Sequence, residues 1–155
     1  MGLDITYCKT LGDPIDGSIM NYMADCQDGN HILLHVNHHF PAQADGINGG
    51  WYHASGMGEF TAGSYGRYNE WRNKLSELTK CSEIGNSNTF RELIEFSDCV
   101  GTIGPKTSRK LANDFTGLLP TVMHMMANDV EFTIHYVRWL AAFSIAADTG
   151  VVSFG

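Results

Sequence analysis

Gly63-Ser64-Tyr65-Gly66-Arg67-Tyr68-Asn69-Glu70-Trp71-Arg72 reads as a glycine-bearing turn running directly into a helix. Glycine lets the backbone turn tightly and come close to another group. Beyond the turn, Tyr68, Trp71, Leu75 and Leu78 recur at three- and four-residue steps, the spacing of one buried helical face. That spacing predicts a helix from Tyr65 or Gly66 to Lys80. Upstream, Leu3, Ile5 and Tyr7 alternate with Asp4, Thr6 and Cys8, and a period of two predicts a strand. Strand pattern before this turn and helical pattern after it place the chain in the α+β class.

Working outward toward the N-terminus, Gly12-Asp13-Pro14 and Asp16-Gly17 mark turns. Ser18 to Asp25 fits a short helix as well as a strand. His31-Ile32-Leu33-Leu34-His35-Val36-Asn37 predicts a buried strand that Phe40-Pro41 stops. From Ala42 to Ser64 the glycines are dense, and Trp51, Tyr52 and Phe60 seek burial. This stretch is expected to be a long, structured, glycine-rich loop lining a site.

Toward the C-terminus, Thr89 is a candidate cap for a short helix carrying Phe90, Leu93 and Ile94, with Glu92 as its box partner. Phe96 to Pro105 reads as a second glycine-bearing loop. Pro105 opens a helix to about Phe115, and Pro120 opens another. The last helical pattern runs to Asp148, with a break near Asn128-Asp129 where Asp129 can cap. Val122, Met126, Val130, Val137, Leu140, Ala141 and Ala147 are expected inward. Val151-Val152-Ser153-Phe154 predicts a last strand beside the first. The expected architecture is a small, mostly antiparallel sheet from the first, second and last strands. Three to four helices pack on it, in one domain over residues 1–155.

Charge narrows the function. Lys and Arg total 10 against 17 Asp and Glu, a net charge of −7, which argues against a nucleic-acid partner because phosphate tracks need a positive footprint. No apolar run reaches the ~18 residues of a membrane span, and the first residues do not resemble a signal peptide. Cys8, Cys26, Cys81 and Cys99 include no Cys-x-x-Cys pair and predict reduced thiols in a cytoplasmic setting.

Four constellations bear on chemistry. In the first, Arg67 and Arg72 can grip phosphate, Tyr65, Tyr68 and Trp71 offer flat rings, and Ser64 and Asn69 add polar groups. The competing reading makes the rings core and pairs the arginines with Glu70 and Glu77. In the second, Ser97 and Asp98 stand between apolar neighbours ahead of Thr102, where a buried carboxylate needs partners from an arginine, loop N–H groups or ligand hydroxyls. The third is the His31, His35, His38, His39 segment. It has no third ligand at metal-site spacing, so polar-face histidines are the expectation and no metal or other cofactor is assigned. In the fourth, His124, Asn128, Glu131 and His135 share a helical stripe that reads as a solvated face. Met123, Met125 and Met126 read as core fill or as an interface.

The chain resembles a family of small, mostly uncharacterised proteins encoded by bacteriophages and prophages. The resemblance rests on Met1-Gly2-Leu3-Asp4-Ile5-Thr6, Phe40-Pro41 with Ala44-Asp45-Gly46, Gly63 to Arg72, Glu92 to Pro105 with Lys110 to Phe115, and the end around Trp139, Phe143 and Gly150 to Phe154. Members of that family usually read Gly-Ser-Tyr-Ser-Gly-Tyr where this chain has Gly63-Ser64-Tyr65-Gly66-Arg67-Tyr68. The resemblance implies a phage origin and action in the host cell cytoplasm, and it supplies no activity. Phage accessory proteins that sequester nucleotide second messengers have pockets of similar chemistry. The expected ligand is therefore a nucleotide-like small molecule, held by Ser64, Tyr65, Arg67, Tyr68, Asn69, Trp71, Arg72, Ser97, Asp98 and Thr102. The alternatives are an enzyme cleaving such a molecule and an inhibitor of a host defence protein. A homodimer through the methionine-bearing surface of the last helix is a further expected partner.

Overall fold

The computed structural model describes residues 2–18, 30–81, 83, 85–96 and 100–155. N-terminal alternation builds the middle of a sheet. β1 (Asp4–Ile15) pairs with β3 (Gly50–Thr61) on one side and with β5 (Val151–Phe154) on the other. β2 (His31–Leu34) borders β3 and β4 (Gly101–Ile103) borders β5, giving the order β2-β3-β1-β5-β4 with every ladder antiparallel. The last strand lies beside the first, as its sequence suggested. Between the strands run a 3-10 turn (Pro41–Ala44) and, among the described residues, four helices: α1 (Tyr65–Cys81), α2 (Arg91–Glu95), α3 (Pro105–Met125) and α4 (Val130–Ala146). The α+β class therefore stands.

Two strands replace expected loops. β3 occupies most of the glycine-rich stretch, so Ala42 to Ser64 is chiefly sheet and the long loop is corrected. Its glycines serve packing across the strands. A Cβ at Gly58 would lie 2.4 Å from the Tyr7 ring, and Gly56, at φ +63°, faces Lys9 so closely that a Cβ would meet its Cβ at 2.7 Å. Tyr7 and Gly58 are register partners, so the ring lies over the bare glycine. β4 occupies part of the second expected loop. β1 also continues through Gly12-Asp13-Pro14, where its register with β3 shifts. Pro14 lies beyond Cys8, where the β5 ladder ends, so its missing N–H falls on the strand's unladdered side.

Alternation along the strands divides the sheet into two faces. Ile5, Phe60 and Phe154 are in register and point into the main core, where Phe60 and Phe154 pack on Trp139 at 5.0 and 5.4 Å. Thr6, Glu59, Ser153 and Thr102 are also in register and take the other face. The core joins Leu3, Ile5, Ile103, Val152 and Phe154 to buried rings from the helices, among them Tyr68, Phe115, Tyr136, Trp139 and Phe143. A smaller cluster gathers Cys8, Ile32, Leu34, Ala54 and Val151.

The predicted stripe of α1 is its buried face: Tyr68, Trp71, Leu75 and Leu78. Helix α2 departs from the expected capping box. Thr89 Oγ1 accepts from Asn86 N, Glu92 pairs with Lys110 at 2.6 Å, and the first turn is capped from afar by Asp114, which accepts from Phe90 N at 2.9 Å. Helix α3 opens at Pro105 but does not restart at Pro120, which lies inside it. Pro120 and Thr116 are both exposed, so the carbonyl that loses its bond at the proline faces water. Asp45 caps α3 across the molecule: Thr107 donates its backbone N–H and its hydroxyl to the two carboxylate oxygens at 2.9 and 3.0 Å. Asp129 caps α4 as expected, accepting from Phe132 N at 3.0 Å.

The inward residues of α4 are not those expected. Phe132, Tyr136, Trp139, Ala142, Phe143 and Ala146 are buried, while Val130, Val137 and Ala141 are exposed. The helix is apolar on two faces, and the aromatic face, with more area to bury, takes the core.

Candidate functional site

Helix α1 begins where the glycine-bearing turn ends. Gly63 sits at φ +92°, in the left-handed region, and Ser64 then caps the helix by accepting from Arg67 N at 3.3 Å. The predicted site residues that follow divide into an open group and a structural group. Tyr65 is 38% exposed and the Arg67 side chain 73% exposed. Tyr68 is fully buried with its hydroxyl donating to Phe96 O at 3.3 Å, and Trp71 is buried with Nε1 donating to Phe132 O at 3.3 Å. The Tyr68 ring is therefore part of the main core. Trp71 stacks on Phe115, Phe132 and Trp139 and shows only an edge.

Arg72 is likewise committed within the fold. Its Nη1 donates to Ile94 O at 2.6 Å, its Nη2 donates to Asn69 Oδ1 at 2.7 Å, and the guanidinium lies 5.2 Å from the centre of the Tyr68 ring. Only Nε, buried, has no partner. Arg72 and Asn69 thus form a brace between α1 and the end of α2, and both Nη groups of Arg72 are engaged within the fold.

Ser97 and Asp98, with Cys99, lie outside the described residues. Their neighbours Ile94 and Phe96 receive bonds from Arg72 and Tyr68, so the two long sequence blocks do meet. Thr102 is buried in β4 and its hydroxyl donates to His35 O at 2.9 Å, which ties β4 to the chain leaving β2. That bond, together with Asn37 Nδ2 donating to Val100 O at 3.1 Å, gives Thr102 a structural setting in place of an open one.

The open part of the glycine-bearing stretch borders a cleft of about 130 Å³ between α1 and the start of α4, lined by Ala62, Arg67, Glu70, Trp71, Lys74, Asp129, Glu131, Phe132 and His135. Its floor is apolar, with Trp71 and Phe132 5.7 Å apart. Its rim is charged. Lys74 Nζ donates to Asp129 Oδ2 at 2.6 Å, while Arg67 stands 3.8 Å from Glu131, both side chains largely in solvent. The hydrogen bond from Lys74, and then the one from Phe132 N, hold the Asp129 carboxyl below the usual range, and the same bond raises Lys74. Burial first, and Arg138 second, push the His135 imidazole below its ordinary value against the opposing pull of Glu131. Its Nδ1 is buried without a partner. A cavity of ~150 Å³ holds benzene, so this cleft admits one ring or one phosphate and not a whole nucleotide.

Lys74, Asp129, Phe132 and His135 were not among the expected site residues. By sequence spacing alone Glu131 and His135 share one solvated stripe with His124 and Asn128. The break between α3 and α4 separates those pairs and turns Glu131 and His135 to the cleft. The signal lay in Asp129: a cap there fixes where the new helix starts and which residues follow on each face.

The histidine segment leads elsewhere. The strand ends at Leu34, short of the predicted Asn37, so His35, His38 and His39 lie beyond it; Asn37 closes a turn by accepting from His39 N at 2.9 Å. His31 meets the Trp51 ring edge-on at 5.5 Å beside a groove of about 450 Å³ on the sheet face away from the main core. Among the described residues, no three His, Cys, Asp or Glu side chains converge as a metal site would require. No described helix is long and apolar enough to cross a membrane. Cys8 is buried, and burial raises its thiol pKa, which makes it a weaker nucleophile. No protein-family model, curated protein or solved structure matches this chain.

Proposed function

We propose that this chain is a phage accessory protein that binds a nucleotide-like small molecule and holds it, sequestering a host-defence signal. The cleft between α1 and α4 is the site. The observation that carries this reading is the pairing of an apolar, ring-sized floor with the exposed and loosely paired guanidinium of Arg67 at the same rim. One ring of the ligand would enter between Trp71 and His135. Its phosphate would lie over the open start of α1, against Arg67, with Tyr65 alongside.

Storage needs affinity without turnover, and a small cleft with the exposed cation of Arg67 at its rim suits it. His135 is neutral at physiological pH by its depressed pKa, so it offers the ligand hydrogen bonds and no charge. Isothermal titration against cyclic nucleotides and ADP-ribose derivatives tests the reading. Binding should weaken at least about tenfold in Arg67→Ala, the loss of one charge-assisted contact. Ligand recovered unchanged after long incubation separates storage from cleavage. Titrations that stay flat across the panel, or binding indifferent to both Arg67→Ala and His135→Ala, would remove the proposal.

A further inference from the structure

The exposed face of α4 needs an explanation that a monomer does not give. Val130 is 64% exposed, Ile134 and Val137 47% each, and Ala141 and Ile145 are exposed as well. At 100° per residue these five positions fall on one stripe, opposite the aromatic face that fills the core. With Met123 at the end of α3, Val130, Ile134 and Val137 line an apolar groove of about 470 Å³. Contiguous apolar surface of this kind marks an interaction site.

Charge identifies the occupant. Glu131 and Arg138 flank the stripe on the same side, seven residues apart. Among the described residues Arg138 has no ion pair, and Glu131 has only the 3.8 Å approach of Arg67. A two-fold axis that sets α4 antiparallel against another α4 keeps each flank facing its own equivalent. Glu131 of each copy then meets Arg138 of the other, twice over. A parallel pair would turn both toward the Thr133 flank, which carries no charge. The pattern is self-complementary in one orientation only.

We propose that α4 pairs antiparallel with α4 of a second copy of this chain, about an axis passing between Ile134 and Val137. Ile134 of one copy packs on Val137 of the other, and Val130 on Ala141, whose small side chain lets the backbones approach. About that axis residues 130–141 of the two helices face each other, a seam about 18 Å long at 1.5 Å per residue. Apolar contact supplies the affinity, and the Glu131–Arg138 pairs choose the orientation, as rim charges do. This inference is independent of the ligand reading.

Sedimentation equilibrium of the full chain tests it. The wild type is expected to be a dimer with Kd below about 10 µM. Ile134→Glu should weaken it at least tenfold, with a melting curve close to wild type because position 134 is exposed. Arg138→Glu should weaken it in a salt-dependent way, and adding Glu131→Arg should restore it. A wild type that is monomeric at about 100 µM, including one that captures some other protein, overturns self-pairing. A dimer unmoved by Ile134→Glu overturns the seam. Charge reversal without rescue overturns the antiparallel orientation.

Discussion

Replacing Arg72 by Ala separates a scaffold role from a ligand role at the residue that the sequence marked most strongly. The guanidinium makes two hydrogen bonds, at 2.6 Å to Ile94 O and 2.7 Å to Asn69 Oδ1, and packs over Tyr68. Bonds from a charged donor contribute ~1.5–3 kcal/mol, and a cation over an aromatic face ~0.5–1 kcal/mol at exposed sites. Arg72 is only partly buried, so solvent recovers some of this and the net loss is about 2 kcal/mol. In a chain of 155 residues each kcal/mol moves Tm by ~2–4 °C, which predicts a drop of about 4–8 °C. Urea unfolding followed by tryptophan fluorescence and by circular dichroism gives the free energy from two probes. Arg72→Lys should recover little, because one ammonium cannot span both acceptors in the guanidinium's planar geometry. A variant that melts within 1 °C of wild type would refute the brace and return Arg72 to the ligand.

Three further perturbations test the architecture at the cleft and in the sheet. Asp129→Ala removes the α4 cap and the partner of Lys74 and should cost about 1 kcal/mol or more at pH 7 by denaturant unfolding. The carboxyl is depressed in the folded chain, so its contribution is present above the unfolded value and is lost as pH falls through the lower folded one; the difference between wild type and variant should shrink in acid. His135 is also depressed, but for a base this means that the unfolded chain takes the proton first. Wild type should therefore lose stability as pH falls below about 6.5, and His135→Gln should flatten that part of the pH–stability curve. Gly150→Ala places a Cβ 1.8 Å from Cys8 O and 3.0 Å from Ala146 Cα, both backbone atoms that cannot swing aside, and should cost about 3 kcal/mol or more in thermal melts.

The parts of the fold that could be read from sequence are those in which one local rule decides. Alternation at Leu3, Ile5 and Tyr7, the helical spacing from Tyr68 to Leu78, Pro105 at a helix start and Asp129 at another all depend on near neighbours along the chain. β3 could not be read in the same way. Its glycines suggest a loop until the partner strand is known, because Gly58 is dictated by Tyr7 far away in sequence. Asp45 and Asp114 cap helices through Thr107 and Phe90, 62 and 24 residues away from them, so no capping box announces either one. The same distinction governs the site. The contacts that join the block of residues 63–72 to the block of residues 92–105 are made by Arg72 and Tyr68 working as scaffold. The charged and polar side chains at the cleft come from separate helices, Arg67 and Lys74 from α1 and Glu131 and His135 from α4, and only packing shows that they are neighbours.

Helix α4 shows why a periodicity argument can find the right helix and the wrong face. Val130, Val137 and Ala141 obey helical spacing as well as Phe132, Tyr136, Trp139 and Phe143 do. Hydropathy alone ranks the β-branched stripe at least as high as the aromatic one. Burial is decided by area and by partners: rings of Trp and Phe remove more surface from water and have Phe60, Phe115 and Phe154 waiting for them. Tyr136 adds a bond to Phe115 O at 2.6 Å that a valine could not make. The stripe that loses this competition keeps its hydrophobicity and faces water. That spare face is the one the proposed pairing of two α4 helices would cover. The opposite charges at Glu131 and Arg138 beside the spare face fit a second copy of the same helix running the other way.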